Sequence, residues 1–293
     1  SIYRAAAHCE NPIELWAGKG APTLFEETPG FRVHPYFHRS IRKFQAFFLY
    51  RRLLRQPGRI CIPTVMRTDL IYFDLASRGP MPPSKLYVLF HWLKLTANKQ
   101  RCLSRIARKH PEIVALAPTE GLRKSLVEQC GFTNARAVPY PITPVDHQTT
   151  VDCTPFRYLL FAGAAREDKG FSRVVKVIEG LRQQGKDMPV LLQTSPPHTG
   201  THEPAIASAI ERVQALNYPH LQTRSDTLDQ AEYLTIFRGS VCLQLYDRED
   251  YADDRLSGVT LDALSCGSPV IATADTWMAR TIERFDAGIA VDE

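Results

Sequence analysis

Residues 246–273 read Tyr-Asp-Arg-Glu-Asp-Tyr-Ala-Asp-Asp-Arg-Leu-Ser-Gly-Val-Thr-Leu-Asp-Ala-Leu-Ser-Cys-Gly-Ser-Pro-Val-Ile-Ala-Thr. An apolar run, Val241 to Leu245, enters this stretch as a strand and opens into an acidic loop. Ser257 is placed to N-cap a helix, because a hydroxyl there accepts from the orphan N–H groups of the first turn. Asp262 follows one turn inside, Gly267 stops the helix, and Pro269 to Thr273 reads as a buried strand. Free N–H groups and the macrodipole make a helix N-terminus an anion site. A carboxylate beside it suits a sugar hydroxyl. Strand, loop, helix start and carboxylate together describe a pocket for a phosphorylated sugar or a nucleotide.

A second segment builds the same kind of site from the other side. Arg157 to Phe161 is an apolar strand, and Gly163-Ala164-Ala165 lets a ligand approach the backbone. Arg166 and Lys169 come next, then Gly170 and an amphipathic helix from Phe171 to Gln184. Arg offers a planar fork and Lys a point charge, which together form a diphosphate clamp.

Outward from these motifs, the second half alternates regularly. Strands are expected at 157–162, 189–194, 220–223, 240–245, 269–273 and 287–291, with helices at 171–184, 203–216, 228–238, 259–266 and 276–285. Such alternation predicts a parallel sheet with both faces covered and a ligand site beyond the carboxyl ends of its strands. The first half follows a rougher version: strands at 12–17, 31–36, 59–64, 70–74, 86–91, 113–117 and 136–139, helices at 2–9, 40–55, 97–109 and 119–130. Tyr140 to Pro155, proline-rich and poor in apolar residues, is the expected linker.

At the quoted residues the chain resembles the family-4 retaining glycosyltransferases of the GT-B fold. The resemblance rests on Phe161-Ala162-Gly163 with Arg166 and Lys169-Gly170, and on Ser257-Gly258-Val259 through Asp262 to Gly267-Ser268-Pro269-Val270. It is strongest over about 155–293, and Tyr251 with Ser257-Gly258 and Thr276-Trp277-Met278 gives it a bacterial polysaccharide and lipopolysaccharide flavour. It implies two Rossmann-like α/β domains facing a cleft, with 1–145 holding the acceptor and 155–293 the nucleotide sugar. It implies retention of anomeric configuration without a metal ion or other cofactor. Arg166 and Lys169 would neutralise the leaving diphosphate, while Gly163, Ser257, Gly258, Val259 and Asp262 would hold the donor. The family carries two Glu eight positions apart. Asp254 and Asp262 have that spacing, with Asp253 or Asp250 as alternatives to Asp254. His91, after the strand Tyr87 to Phe90, matches a first-domain His that faces the donor sugar in the family. A GT-B chain opens on a strand and closes on a helix, whereas this one opens on a helical reading and closes on a strand. Both ends are therefore expected to lie beyond the sequence. Two other readings stay open: a nucleotide-sugar epimerase of the same fold, and a binding module without turnover.

The chain has 293 residues, of which 44% are hydrophobic, enough for two cores. No apolar run approaches the ~18 residues of a membrane span. Seven scattered cysteines without a CxxC suggest a reducing cytosol and no structural zinc. Charge is uneven: residues 1–150 hold 22 Lys and Arg against 10 Asp and Glu, and residues 151–293 hold 14 against 21. A basic first half suggests an anionic partner. Its densest segment, Ser40 to Arg55, places Ile41, Phe44, Phe47, Phe48 and Leu54 beside five Lys and Arg on a helix. That pattern fits either a core helix or peripheral contact with an anionic membrane. No nucleic-acid-binding motif accompanies it, so the expected partners are a nucleotide sugar and a glycan or lipid-linked acceptor.

Overall fold

The computed structural model describes residues 12–19, 30–140, 154–197, 200–226, 228–252 and 255–292. The expected helix at 2–9, residues 141–153 of the expected linker, and Asp253 and Asp254 lie outside them. Contacts divide the chain into two compact units, Ser1–Thr143 and Pro144–Glu293.

The second unit is one six-stranded parallel sheet. Its strands are β7 (Tyr158–Phe161), β8 (Val190–Gln193), β9 (Leu221–Arg224), β10 (Ser240–Gln244), β11 (Val270–Thr273) and β12 (Gly288–Val291). They lie in the order β12-β11-β10-β7-β8-β9. The chain thus builds outward from β7 through β8 to β9, returns beside β7 as β10, and continues the other way. This is the doubly wound order, with its switch point between β7 and β10. Helices α5 (Phe171–Gln183), α6 (Pro204–Ala215), α7 (Gln230–Thr235), α8 (Gly258–Ser265) and α9 (Trp277–Arg284) cover it. Strand side chains alternate between two cores. Leu160, Cys242 and Val270 face Val259, Ala263, Met278 and Ile282. Phe161, Leu192 and Leu243 face Val174, Ile178, Ala209 and Val213. Near-continuous apolar strands are what burial on both faces requires.

The first unit has a two-stranded parallel sheet, β1 (Ile13–Gly18) with β2 (Phe31–Phe37), and a four-stranded parallel sheet in chain order. The latter holds β3 (Ile60–Ile62), β4 (Leu86–Leu89), β5 (Val114–Ala117) and β6 (Ala135–Ala137). Its helices are α1 (Arg42–Leu53), α2 (Arg67–Ala76), α3 (Ala97–Lys109) and α4 (Glu120–Glu128). The strand expected at 70–74 is instead the body of α2. Its short apolar run fits either period. Asp69 decides for helix by accepting from the Met66 N–H at 2.9 Å. The helical period then buries Leu70, Phe73, Asp74 and Ala76 on one side. Asp74 is paired there with Lys109 at 2.6 Å and with His110 at 2.9 Å. The stripe expected on α1 also splits. Phe47 and Leu54 pack on the core, whereas Ile41, Phe44 and Phe48 are exposed.

One glycine fixes the junction of the β7 and β10 loops. Gly170 has φ of +68°, and a Cβ there would come within 1.7 Å of the Leu245 carbonyl oxygen. Gly185 has a similar φ of +61° with nothing near its would-be Cβ. Gly185→Ala should cost only the left-handed penalty of ~1–2 kcal/mol. Gly170→Ala adds a backbone clash of roughly 1–3 kcal/mol. Thermal melting of the two variants checks the contrast, and equal losses would count against the close approach.

Candidate functional site

The loops after β7 and β10 meet at the switch point, where open α/β sheets bind ligands. Gly163 begins the first loop with φ of +95°, and its N–H donates to Gln193 Oε1 at 2.6 Å. A 3₁₀ turn, Glu167–Lys169, leads into Gly170. Lys169 folds back over this turn. A Cβ on Gly163 would sit 2.9 Å from Lys169 Nζ and 3.5 Å from Val259 Cγ2. Gly163, Lys169 and Val259, drawn from both motifs, are thus brought together. The second loop is tied to the first by the Asp247 N–H, which donates to the Asp168 carbonyl at 3.1 Å. Arg173 on α5 also donates to the Leu245 and Tyr246 carbonyls at 3.1 and 3.0 Å.

Asp168 organises the charge. Arg166 binds it through both Nε, at 2.8 Å, and Nη2. Arg255 Nη2 binds the same carboxylate at 2.8 Å and lays its guanidinium 4.1 Å from the centre of the Tyr251 ring. Arg166 is therefore held in place by its neighbour. Lys169 has no carboxylate paired with its ammonium among the described residues. Burial, reinforced by the Arg166 charge, pulls its pKa down to about 8.

On the far side, Ser257 Oγ caps α8 by accepting from the Thr260 N–H at 3.4 Å. Gly258 and Val259 open the helix, where N–H groups have no carbonyl one turn back. Thr260 Oγ1 donates to Gln244 Oε1 at 2.6 Å, pinning α8 to the end of β10. Asp262 is the fifth helical residue, and the first turn holds no acidic side chain. Its Oδ2 accepts from the Tyr233 hydroxyl at 3.2 Å, and burial pushes its pKa up. Its carboxylate is thus half-buried against α7.

His91 belongs to the first unit, beyond the carboxyl end of β4. Its Nε2 lies 2.8 Å from the Pro63 carbonyl and 3.1 Å from Thr64 Oγ1. A carbonyl only accepts, so Nε2 carries the proton and Nδ1 is left as the acceptor. Asp250 uses its N–H on Asp247 Oδ1 at 3.0 Å, and Asp254 lies outside the described residues. Among the described residues no three His, Cys, Asp or Glu side chains gather as a metal site.

Sequence reading missed Asp168, Arg255, Gln193 and Tyr233. Asp168 and Arg255 lie inside the quoted motifs, and their alternation with opposite charge was the available signal. Gln193 and Tyr233 come from other strands and helices and carry no local mark.

No protein-family model matches the chain, and no curated protein matches it by sequence. Solved structures do match. Anabaena Alr3699/HepE in complex with UDP superposes with a TM-score of 0.69 at 14% identity, covering 99% of this chain and 80% of that one. Sucrose-phosphate synthase from Thermosynechococcus elongatus gives 0.64 at 16%, covering 99% and 77%. A trehalose-6-phosphate structure from E. coli, bound with UDP-2-fluoro glucose, gives 0.60 at 11%, covering 87% and 68%. The fold is GT-B. The GT-B likeness extends over both units, including the first, where the sequence motifs are weaker.

The half-buried Lys169 ammonium makes a pH prediction. Its folded pKa, about 8, lies below the ordinary lysine value of about 10.4. Between these values the unfolded chain binds the additional proton, so folding stability rises with pH across the window. Below pH 8 the folded protein carries the buried charge at a cost. Wild type should gain on Lys169→Met by up to about 1.4 kcal/mol per pH unit from pH 8 to 10. Urea unfolding at stepped pH measures this, and parallel curves for the two proteins would contradict it.

Proposed function

We propose that this chain is a glycosyltransferase. It moves a sugar from a nucleoside-diphosphate sugar to a glycan or lipid-linked acceptor, with retention of configuration and without a metal or other cofactor. The observation that carries the reading is Lys169. Its half-buried ammonium lies against Gly163, which Val259 also approaches, at the switch point of a doubly wound sheet. UDP in the HepE structure and UDP-2-fluoro glucose in the E. coli structure support this class of donor.

The local charge suits a diphosphate. Lys169, Arg166 and Arg255 gather around the Asp168 carboxylate, three cationic side chains at the ends of β7 and β10. In transfer, the bond from the anomeric carbon to the phosphate oxygen breaks and the bond to the acceptor oxygen forms. Negative charge grows on the departing phosphate, and fixed cations stabilise it more in the transition state than before. The acceptor proton passes to that phosphate on the same face of the sugar. Gly258 and Val259 N–H groups add to the phosphate cradle. Asp262, oriented by Tyr233, accepts from a donor hydroxyl, and Ser257 holds the helix start. Asp254 or a neighbouring Asp completes the sugar site within the second unit, and His91 keeps the role that the family resemblance gives it.

A thermal-shift screen with UDP-, GDP-, dTDP- and ADP-sugars names the base. With that donor, Lys169→Ala and Arg166→Ala should each lose roughly 1.5–3 kcal/mol of binding, about ten- to a hundredfold, with slower turnover. Donor affinity and rate unchanged in both would reject the clamp. Asp262→Asn should weaken donor binding by calorimetry while leaving the melting temperature nearly unchanged. A large fall in melting temperature with normal affinity would make Asp262 a structural residue. Proton NMR of the product identifies the anomer. Inversion would refute retention, the same sugar inverted at C2 would indicate an epimerase, and binding without turnover would indicate a module.

A further inference from the structure

Helix α1 turns Ala46, Leu49 and Tyr50 into the core of the first unit. The opposite face begins with Ile41, Phe44 and Phe48, which are 49, 70 and 62% exposed. At three- and four-residue spacing they form one stripe, Arg51 continues it along the same face, and Arg55 follows in the turn after the helix. Arg78, exposed just beyond α2, lies near enough to Arg51 for the two charges to repel. The surrounding sequence offers little to neutralise them. Residues 28–68 contain nine Lys and Arg and no Asp or Glu.

We propose that this face docks the protein on an anionic lipid bilayer, with Ile41, Phe44 and Phe48 entering the headgroup region and Arg51, Arg55 and Arg78 meeting lipid phosphates. Three adjacent large apolar side chains in water, rimmed by charge of one sign, are the surface of an interaction site. The like charges gathered there favour an anionic occupant. A second copy meeting the same face by two-fold symmetry would set arginines against arginines. Arg52 is not counted, since it lies over the Trp16 ring at 5.1 Å. The helix lies on the surface: none among the described residues is long and apolar enough to cross a membrane. A short amphipathic helix with aromatic and basic residues on one face binds in this way, buried shallowly and aided by anionic headgroups. The proposal uses no residue of the nucleotide pocket, so the two readings stand or fall separately.

Co-sedimentation with vesicles tests it. The wild-type chain should pellet with phosphatidylcholine vesicles containing about one third phosphatidylglycerol, and far less with pure phosphatidylcholine. Raising salt from about 0.1 to 1 M shortens the reach of charge from ~10 to ~3 Å and should reduce binding. Phe44→Glu with Phe48→Glu, and Arg51→Glu with Arg55→Glu, should each lower partitioning about tenfold or more at unchanged melting temperature. Should the Glu pair at the phenylalanines melt early, Phe44→Ser with Phe48→Ser replaces it. Arg182→Glu with Lys186→Glu makes the same charge change in the other unit and should leave binding intact. Failure to pellet with anionic vesicles, equal binding to neutral ones, or full binding by both stripe variants would overturn the proposal. So would lipid-free dimerisation abolished by the phenylalanine variant, which would make the face a contact between copies.

Discussion

The backbone of Gly170 passes so close to the Leu245 carbonyl that no side chain fits between them. That contact joins the loop after β7 to the loop after β10, and the arrangement of the pocket depends on it. With the loops pressed together, the Asp247 N–H reaches the Asp168 carbonyl and Arg173 clamps the carbonyls of Leu245 and Tyr246. The Asp168 carboxylate is then able to hold arginines from both loops. Lys169, the residue before the glycine, is turned back over Gly163. A left-handed residue at the start of α5 sets this course, and only glycine adopts it here without both backbone strain and collision.

The electrostatic consequence is a pre-set positive site. Holding Arg166 and Arg255 on one carboxylate restricts both guanidiniums before any ligand arrives, so less ordering remains to be done on binding. The Lys169 ammonium is kept charged at neutral pH against its own desolvation. An anion entering beside it relieves that penalty. Binding a diphosphate should therefore favour the protonated lysine, and the low pKa of the free site is the signature of an incomplete ion pair.

The first unit answers to different constraints. Its four-stranded sheet and helices form a core of the usual kind, with Leu70, Phe73, Leu86, Leu103 and Ile106 fully buried. Its surface keeps charge and apolar groups that the core does not need. Burial of one side of α1 fixes the helix, and that order is what presents Ile41, Phe44 and Phe48 together on the other side. The same rigidity places His91 at the carboxyl edge of the sheet, its Nε2–H occupied by the Pro63 carbonyl and its second nitrogen directed elsewhere.

In the second unit the sequence alone determined the alternation of strands and helices, because each apolar strand is bounded by its own caps and glycines. Gly163, Lys169, Gly170 and Ser257 were legible for the same local reason: a turn, a cation and a cap each leave a mark within a few residues. The apolar run at 70–74 was not, since four consecutive large apolar residues satisfy both periods, and the Asp69 cap and long-range burial chose the helix. Nor could the sequence say which of the five apolar residues along α1 would face inward, because that depends on what packs against the helix. The role of Asp168 as common partner of Arg166 and Arg255, the contact of Asp262 with Tyr233, and the approach of Val259 to Gly163 were decided by tertiary structure. The first of these joins Asp168 to Arg255 across 87 positions, and local pattern carries no information about which distant side chain will arrive.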